Sequence, residues 1–229
     1  MIEHTLSKNN IGIFSYGRKQ SQRCPNKMLR PFGNTTLVDI LLNKLKALGS
    51  NTFFAGYEKE FRKKCDNIGV RFVQRTYHSV SIDEPITEAL SFLNDVNFEY
   101  LLIINGCLPF LRPETIKIFL QKVMKNDLAS SSAIFQRNNY FFDYGKHPIN
   151  FQTKLKTLNT KTVKPIYEFA NALYFFNRKY FLKNGRYWDW KKVKLIELEN
   201  KIELIDIDTE EDFIIAESIW KQKDLFNKN

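Results

Sequence analysis

The sequence predicts an α/β protein: a mostly parallel sheet with helices on both faces. Three observations carry that expectation. Short apolar runs alternate with segments of helical periodicity along most of the chain. The run Tyr100-Leu-Leu-Ile-Ile104 is apolar on both parities, as a central strand buried on two faces must be. Finally, 229 residues with 43% hydrophobic content suffice for one sizeable core without covalent staples.

The first strand is predicted at residues 11–16. A long connection rich in Arg and Lys follows, and periodicity resumes only near Thr35. Structureless loops beyond about 12 residues are usually functional or disordered, and this one is too basic for a plain linker. Leu37, Val38, Leu41, Leu42, Leu45 and Leu48 then share a helical face, with Thr35 or Thr36 as cap and Gly49 as stop. A strand at 52–55, a helix at 59–67 stopped by Gly69 and a strand at 70–74 continue the alternation. A helix is expected over 85–93 with Asp83 as its cap, then the strand at 100–104, then a helix opened by Pro113-Glu114.

Beyond Ala129 the pattern changes. Residues 131–136 read as a strand, whereas 138–167 are irregular and aromatic, an inserted extension within a single domain spanning 1–229. A small β extension forming a dimer contact and an ordinary surface excursion are equal alternatives for it. Strands at 172–176 and 193–197 return to the sheet, and the last helix starts at Thr209, three residues before Asp212 in a capping-box arrangement. No internal repeat or low-complexity segment is present.

Composition narrows the function classes. The net charge of +10 and pI near 9.4 fit either affinity for polyanions or Lys-rich solvation. The basic residues are scattered from Lys8 to Lys228, without a dense stripe or a nucleic-acid-binding signature, so a small anionic ligand is expected and nucleic acid is not. Cys24, Cys65 and Cys107 are an odd number without CxxC spacing, which argues against a disulfide framework or zinc ribbon and for a reducing compartment. The first ten residues lack the apolar core of a signal peptide, and no apolar run approaches spanning length, so a soluble cytoplasmic protein is expected.

The chemistry concentrates directly after the first strand, where Arg18, Ser21, Arg23, Pro25 and Lys27 form the spacing RxxSxRxPxK. In open α/β sheets ligands gather outside the carboxyl ends of strands, and fixed cations there neutralise phosphate charge. The plainer alternative makes these residues solvated surface charges with Ser21 a turn former. Near the C-terminus Asp206 and Asp208 alternate with Ile207, so in extended chain both carboxylates face one way and could share a hard cation. Equally, from the residues alone, they could favour the following helix N-terminus, and Asp212 reads as a capping partner.

The loop segment resembles the signature of the cytidylyltransferases that activate acylneuraminate and 3-deoxy-manno-octulosonate-type sugars. Leu29-Arg-Pro-Phe-Gly33 and Leu37 extend the likeness. Asn105-Gly-Cys-Leu-Pro109 stands where that family has its nucleotide-side loop, Asn171-Ala-Leu-Tyr174 resembles its NGAxY segment, and Asp206-Ile-Asp-Thr209 with Asp212 is similar to its DIDTxxD. The resemblance implies a Rossmann-like nucleotide-diphospho-sugar transferase fold and transfer of CMP from CTP to an acidic sugar for surface polysaccharide, with release of pyrophosphate. It places Arg18, Ser21, Arg23 and Lys27 on the CTP phosphates, Arg75 and Asn105 on the nucleotide, and Asn171 on the acceptor. Mg²⁺ would sit at Asp206 and Asp208, with Arg18, Lys27 and Asp208 carrying catalysis; a homodimer joined through the extension stays one of the two equal alternatives for that segment. A phosphorylated polyol as acceptor, or a noncatalytic nucleotide- or RNA-binding role on the same fold, are the alternatives.

The chain departs from that pattern at Met28, where the family has Asn, at Thr76, where it has Pro, and in residues 105–109, where it has QPTSP. Cys107 has no His near it in sequence and reads as a packing residue. His78 and His147 read as surface residues. Tyr140, Phe141, Phe142 and Tyr144 could stack on a ligand or a partner, or serve packing.

Overall fold

A computed structural model describes residues 8–154 and 156–226. Most of the polar N-terminal stretch discussed above, residues 1–7, lies outside the described residues. In chain order the elements are β1 (Ile11–Tyr16), β2 (Pro31–Phe32), β3 (Thr35–Thr36), α1 (Leu37–Leu48), β4 (Thr52–Gly56), α2 (Lys59–Ile68) and β5 (Arg71–Gln74). Short helices α3 (Tyr77–Ser81) and α4 (Ile86–Ala89) precede a 3₁₀ turn (Ser91–Asn94), β6 (Tyr100–Ile104), α5 (Pro113–Lys125) and β7 (Ser131–Arg137). The chain closes with β8 (Ile166–Asn177), α6 (Arg178–Asn184), β9 (Lys194–Glu197), a second 3₁₀ turn (Lys201–Leu204) and α7 (Glu210–Phe226).

The sheet has seven strands among the described residues, ordered β5-β4-β1-β6-β8-β7-β9. β1 runs parallel to β4 and β6, β4 to β5, and β7 to β9, while β8 is antiparallel to both its neighbours. The predicted mostly parallel sheet is therefore present with one reversed strand. Alternation along β1 and β6 assigns the two faces. Ile11, Ile13, Leu102 and Ile104 meet α1, α2 and α5 on one side. Phe14, Leu101 and Ile103 meet Leu90, Phe92, Phe181 and Trp188 on the other. Helix α1 starts where expected, with Thr36 Oγ1 accepting from Asp39 N at 3.3 Å, and α2 stops at Gly69, whose φ of +83° suits glycine.

Three expectations are corrected. The helix predicted over 85–93 is two short pieces, because Pro85 rather than Asp83 stands at the N-cap of α4 and Leu90 (φ −109°, ψ 28°) leaves helical geometry before the 3₁₀ turn. The strand predicted at 172–176 is twelve residues long, so the last two residues of the supposed extension belong to β8. The connection after β1 holds the small β2–β3 ladder, and α3 and α6 were not foreseen. Between residues 138 and 165 the described backbone holds one isolated bridge, Phe142 with Pro148.

Candidate functional site

The loop after β1 is anchored at both ends. Gly17 N donates to Ala55 O at 3.1 Å and Lys19 N to Glu58 Oε1 at 2.7 Å, tying its start to the β4–α2 turn. Cys24 and Met28 are buried and plug the loop into the core. Met28, where the resembled family has Asn, thus serves packing. Arg30 lies 3.6 Å over the ring of Phe213 and pairs with Glu210 through two bonds of 2.9 and 2.7 Å, joining the loop's end to α7. Between these anchors Arg18, Ser21, Arg23 and Lys27 line a cleft of about 580 Å³ at the carboxyl ends of β1 and β6.

The acidic segment arrives from the far end of the chain. Ile207 is fully buried and its N donates to Cys107 O at 3.0 Å, while Asp206 and Asp208 do not line the cleft themselves but bond to the lining residues Asn105, Arg23 and Lys27. Lys27 Nζ donates to Ile207 O and lies 3.5 Å from Asp208 Oδ1, while Arg23 reaches the same oxygen at 2.9 Å. Burial works against the Lys27 ammonium, but the Cys107 contact and the Asp208 and Asp206 carboxylates outweigh it and hold the pKa above its ordinary value. Burial also pushes the Cys107 thiol up to about 11, so it is neutral and unsuited to nucleophilic work.

Asp206 and Asp208 differ sharply. Asp206 Oδ2 accepts from Asn105 Nδ2 at 3.0 Å, while its Oδ1 is buried without a partner. Burial, then the charge of Asp208, push its carboxyl up to about 6. A half-buried carboxylate with an orphaned oxygen beside a second carboxylate is a donor set that a hard divalent cation fits. Asp212 is the expected cap: its Oδ2 accepts from Thr209 N and Thr209 Oγ1 at 2.8 Å each, and from Asp208 N at 3.2 Å. Those bonds, led by the Thr209 amide, hold it below the usual carboxylate range.

The remaining predicted residues divide. Asn105 Nδ2 also donates to Asn171 O at 2.8 Å, and Tyr174 Oη donates to Asn171 Oδ1 at 3.1 Å, so one polar chain links Tyr174, Asn171, Asn105 and Asp206. Arg75 lines the cleft, but its guanidinium is bonded to Ser79 Oγ and O, Gly17 O and Ala89 O beneath the Tyr16 ring. Burial lowers its pKa to about 10. Arg18 also lines the cleft, giving Nη1 to Val80 O at 3.1 Å and Nη2 to Asp83 at 3.0 Å. His78 and His147 are exposed and pair with Glu88 and Asp143.

Sequence reasoning missed Tyr16, Ile82, Ile86 and Tyr187, which complete the cleft wall, and Asp83 as the partner of Arg18. Tyr16 and Tyr187 are hydrogen-bonded to each other, and burial raises both phenols, leaving them neutral. Tyr16 ends the apolar run 11–16 while Tyr187 stands in a charged stretch, so their one local signal was aromatic identity, which core packing shares.

The cytidylyltransferase family profile matches residues 17–228, from the basic loop through Asp206 and Asp208. No curated protein sequence matches the chain. Among solved structures, a CMP:2-keto-3-deoxy-manno-octonic acid synthetase complexed with CTP superposes with a TM-score of 0.67 at 10% identity, covering 93% of this chain and 99% of that one. A cytidylyltransferase from Leptospira borgpetersenii serovar Hardjo-bovis gives 0.59 at 18% identity over 91% and 85%. The 4-diphosphocytidyl-2C-methyl-D-erythritol synthase from Anaerococcus prevotii gives 0.58 at 14% identity over 93% and 99%. At such identities the likeness is one of fold, and among the described residues no helix is long and apolar enough to cross a membrane. With the family match covering nearly the whole chain and both charged segments of the cleft, the protein belongs to the cytidylyltransferase family, and its activity is the CTP-dependent transfer of a cytidylyl group.

Proposed function

We propose that the protein transfers CMP from CTP to an acidic sugar of the nonulosonate (acylneuraminate-like) or octulosonate kind, releasing pyrophosphate, as a cytoplasmic step towards surface polysaccharide. The observation that carries this reading is the meeting of Lys27, which lines the cleft, with Ile207 O and Asp208 beside it. It sets the cations of one loop against two carboxylates 180 residues away, the arrangement that displacement at a phosphorus needs.

The acceptor oxygen attacks the α-phosphorus in line, and no covalent enzyme intermediate is required. Arg18, Ser21 and Arg23 hold the triphosphate, and Lys27 offsets the charge that develops on the departing pyrophosphate. Asp206 and Asp208 offer oxygens to Mg²⁺, which when bound supplies Lewis-acid polarisation of the phosphate. Asn105 holds Asp206 in place through Nδ2. Arg75, whose bonds go to backbone carbonyls and Ser79, shapes the nucleotide wall, and Asn171 presents its amide to the acceptor. The excursion at 138–165, with Tyr144 and Leu158 exposed, is the face for a second copy.

Pyrophosphate release measured with each of the four nucleoside triphosphates, Mg²⁺ and a panel of sugar acids tests the reading. Turnover is expected with CTP and one class of acid; release independent of nucleotide identity would overturn it. Asp208→Ala should abolish turnover while circular dichroism stays that of the parent. Near-normal activity would remove Asp208 from the site.

A further inference from the structure

We infer that Asp83 competes with the nucleotide's phosphates for Arg18, so that it sets how tightly an anion must bind to enter the cleft. The inference rests on the reading of Arg18 as a phosphate ligand. Arg18 is the one cation of the loop whose carboxylate partner itself lines the cleft, since Glu60, Asp208 and Glu210, which pair with the others, do not. Its Nη2 lies 3.0 Å from Asp83 Oδ1 and 3.1 Å from Oδ2, and Nη1 is spent on Val80 O. Both Arg18 and Asp83 line the cleft.

The pair is asymmetric in solvation. The Arg18 side chain is 26% exposed and that of Asp83 74%, so Asp83 can be released into water at little desolvation cost, whereas Arg18 needs a counter-charge wherever it turns. Arg75 sharpens that need, since its buried guanidinium is satisfied by carbonyls and a hydroxyl and bears on Arg18 as a like charge. Asp208, which pairs with Arg23 and lies near Lys27, differs in having a second duty at the site, while Asp83 has no other ion-pair partner among the described residues. A triphosphate that takes Arg18 therefore displaces Asp83, and Asp83 retakes Arg18 as pyrophosphate leaves.

Calorimetric titration of CTP, and of pyrophosphate alone, into the parent, Asp83→Asn, Arg18→Ala and the double variant tests this. Exposed ion pairs carry modest energies, so Asp83→Asn should tighten both ligands roughly two- to five-fold. The same substitution should change nothing when Arg18 is already Ala. Unchanged or weaker binding by Asp83→Asn, in a variant whose melting temperature matches the parent, overturns the inference. An Arg18→Ala variant that binds CTP as the parent does would instead remove Arg18 from the phosphate site, and this inference with it.

Discussion

The end of the cleft at β1 and the end at β8 are built on opposite plans. At the first, Arg18, Arg23 and Lys27 come from ten consecutive residues, and each finds a carboxylate far away in sequence. At the second, Tyr174 and Tyr187 are uncharged and are held by a ring contact at 5.5 Å and by the bond of Tyr174 Oη to Asn171, which adjoins the cleft without lining it. The difference separates the work. A contiguous loop concentrates positive charge where a polyphosphate must lie, whereas packed rings fix a shape and contribute no charge of their own.

The sharpest way to break that division is Lys27→Met, which keeps the half-buried stem and removes the ammonium that spans the loop and Asp208. Turnover should fall by roughly 10²–10³-fold, the span typical of losing one preorganised electrostatic group, as read by pyrophosphate release. A loss below tenfold would mean that the β1 end does not dominate.

How much of this was legible in the sequence follows the same division. The loop motif could be read because its chemistry is contiguous and its place after a buried strand is dictated by the apolar run 11–16. Asp206 and Asp208 were legible as a pair through their alternation with Ile207, whose burial the structure bears out. Their neighbours were not: Asn105 reaches Asp206 only because β6 and the 3₁₀ turn before Asp206 converge, a tertiary fact with no local signature. Asp83 shows the opposite failure. Its position before a proline suited a helix cap, but Pro85 takes that place and Asp83 was free to answer a cation 65 residues upstream. Local propensity was right about α1, where Thr36, the apolar face and Gly49 agree, and failed at 85–93, where short pieces are held by packing.

Asp206 sharpens the comparison through pH. Burial and Asp208 push its carboxyl up to about 6 from an ordinary 3.8, so the folded protein keeps a proton between those values that the unfolded chain has released. Its contribution to stability is therefore full below the unfolded value and is lost as pH rises through the folded one. Without added metal, Asp206→Asn should exceed the parent in stability by ~1–2 kcal/mol at neutral pH and match it near pH 4, measured by urea denaturation. Mg²⁺ should stabilise the parent and not the variant. Parallel pH profiles for the two proteins would mean that Asp206 is not strained by its surroundings.

The smallest effect probes the uncharged end. Asn171 holds a left-handed φ of +48° while its Oδ1 accepts from Tyr174 Oη and its carbonyl from Asn105. Replacement by Gly and by Ala removes the same side-chain bond, so the difference between the two isolates the backbone strain. Ala should be less stable than Gly by ~1 kcal/mol, since an L side chain pays for that region and glycine does not. Chemical denaturation of both variants reads the difference directly. Because charge plays no part in it, the gap should be the same in low and high salt, whereas Asp83→Asn should lose its effect on CTP binding as salt screens the Arg18 pair. Equal stabilities for the Gly and Ala variants would show that residue 171 is not held in the left-handed region at any cost.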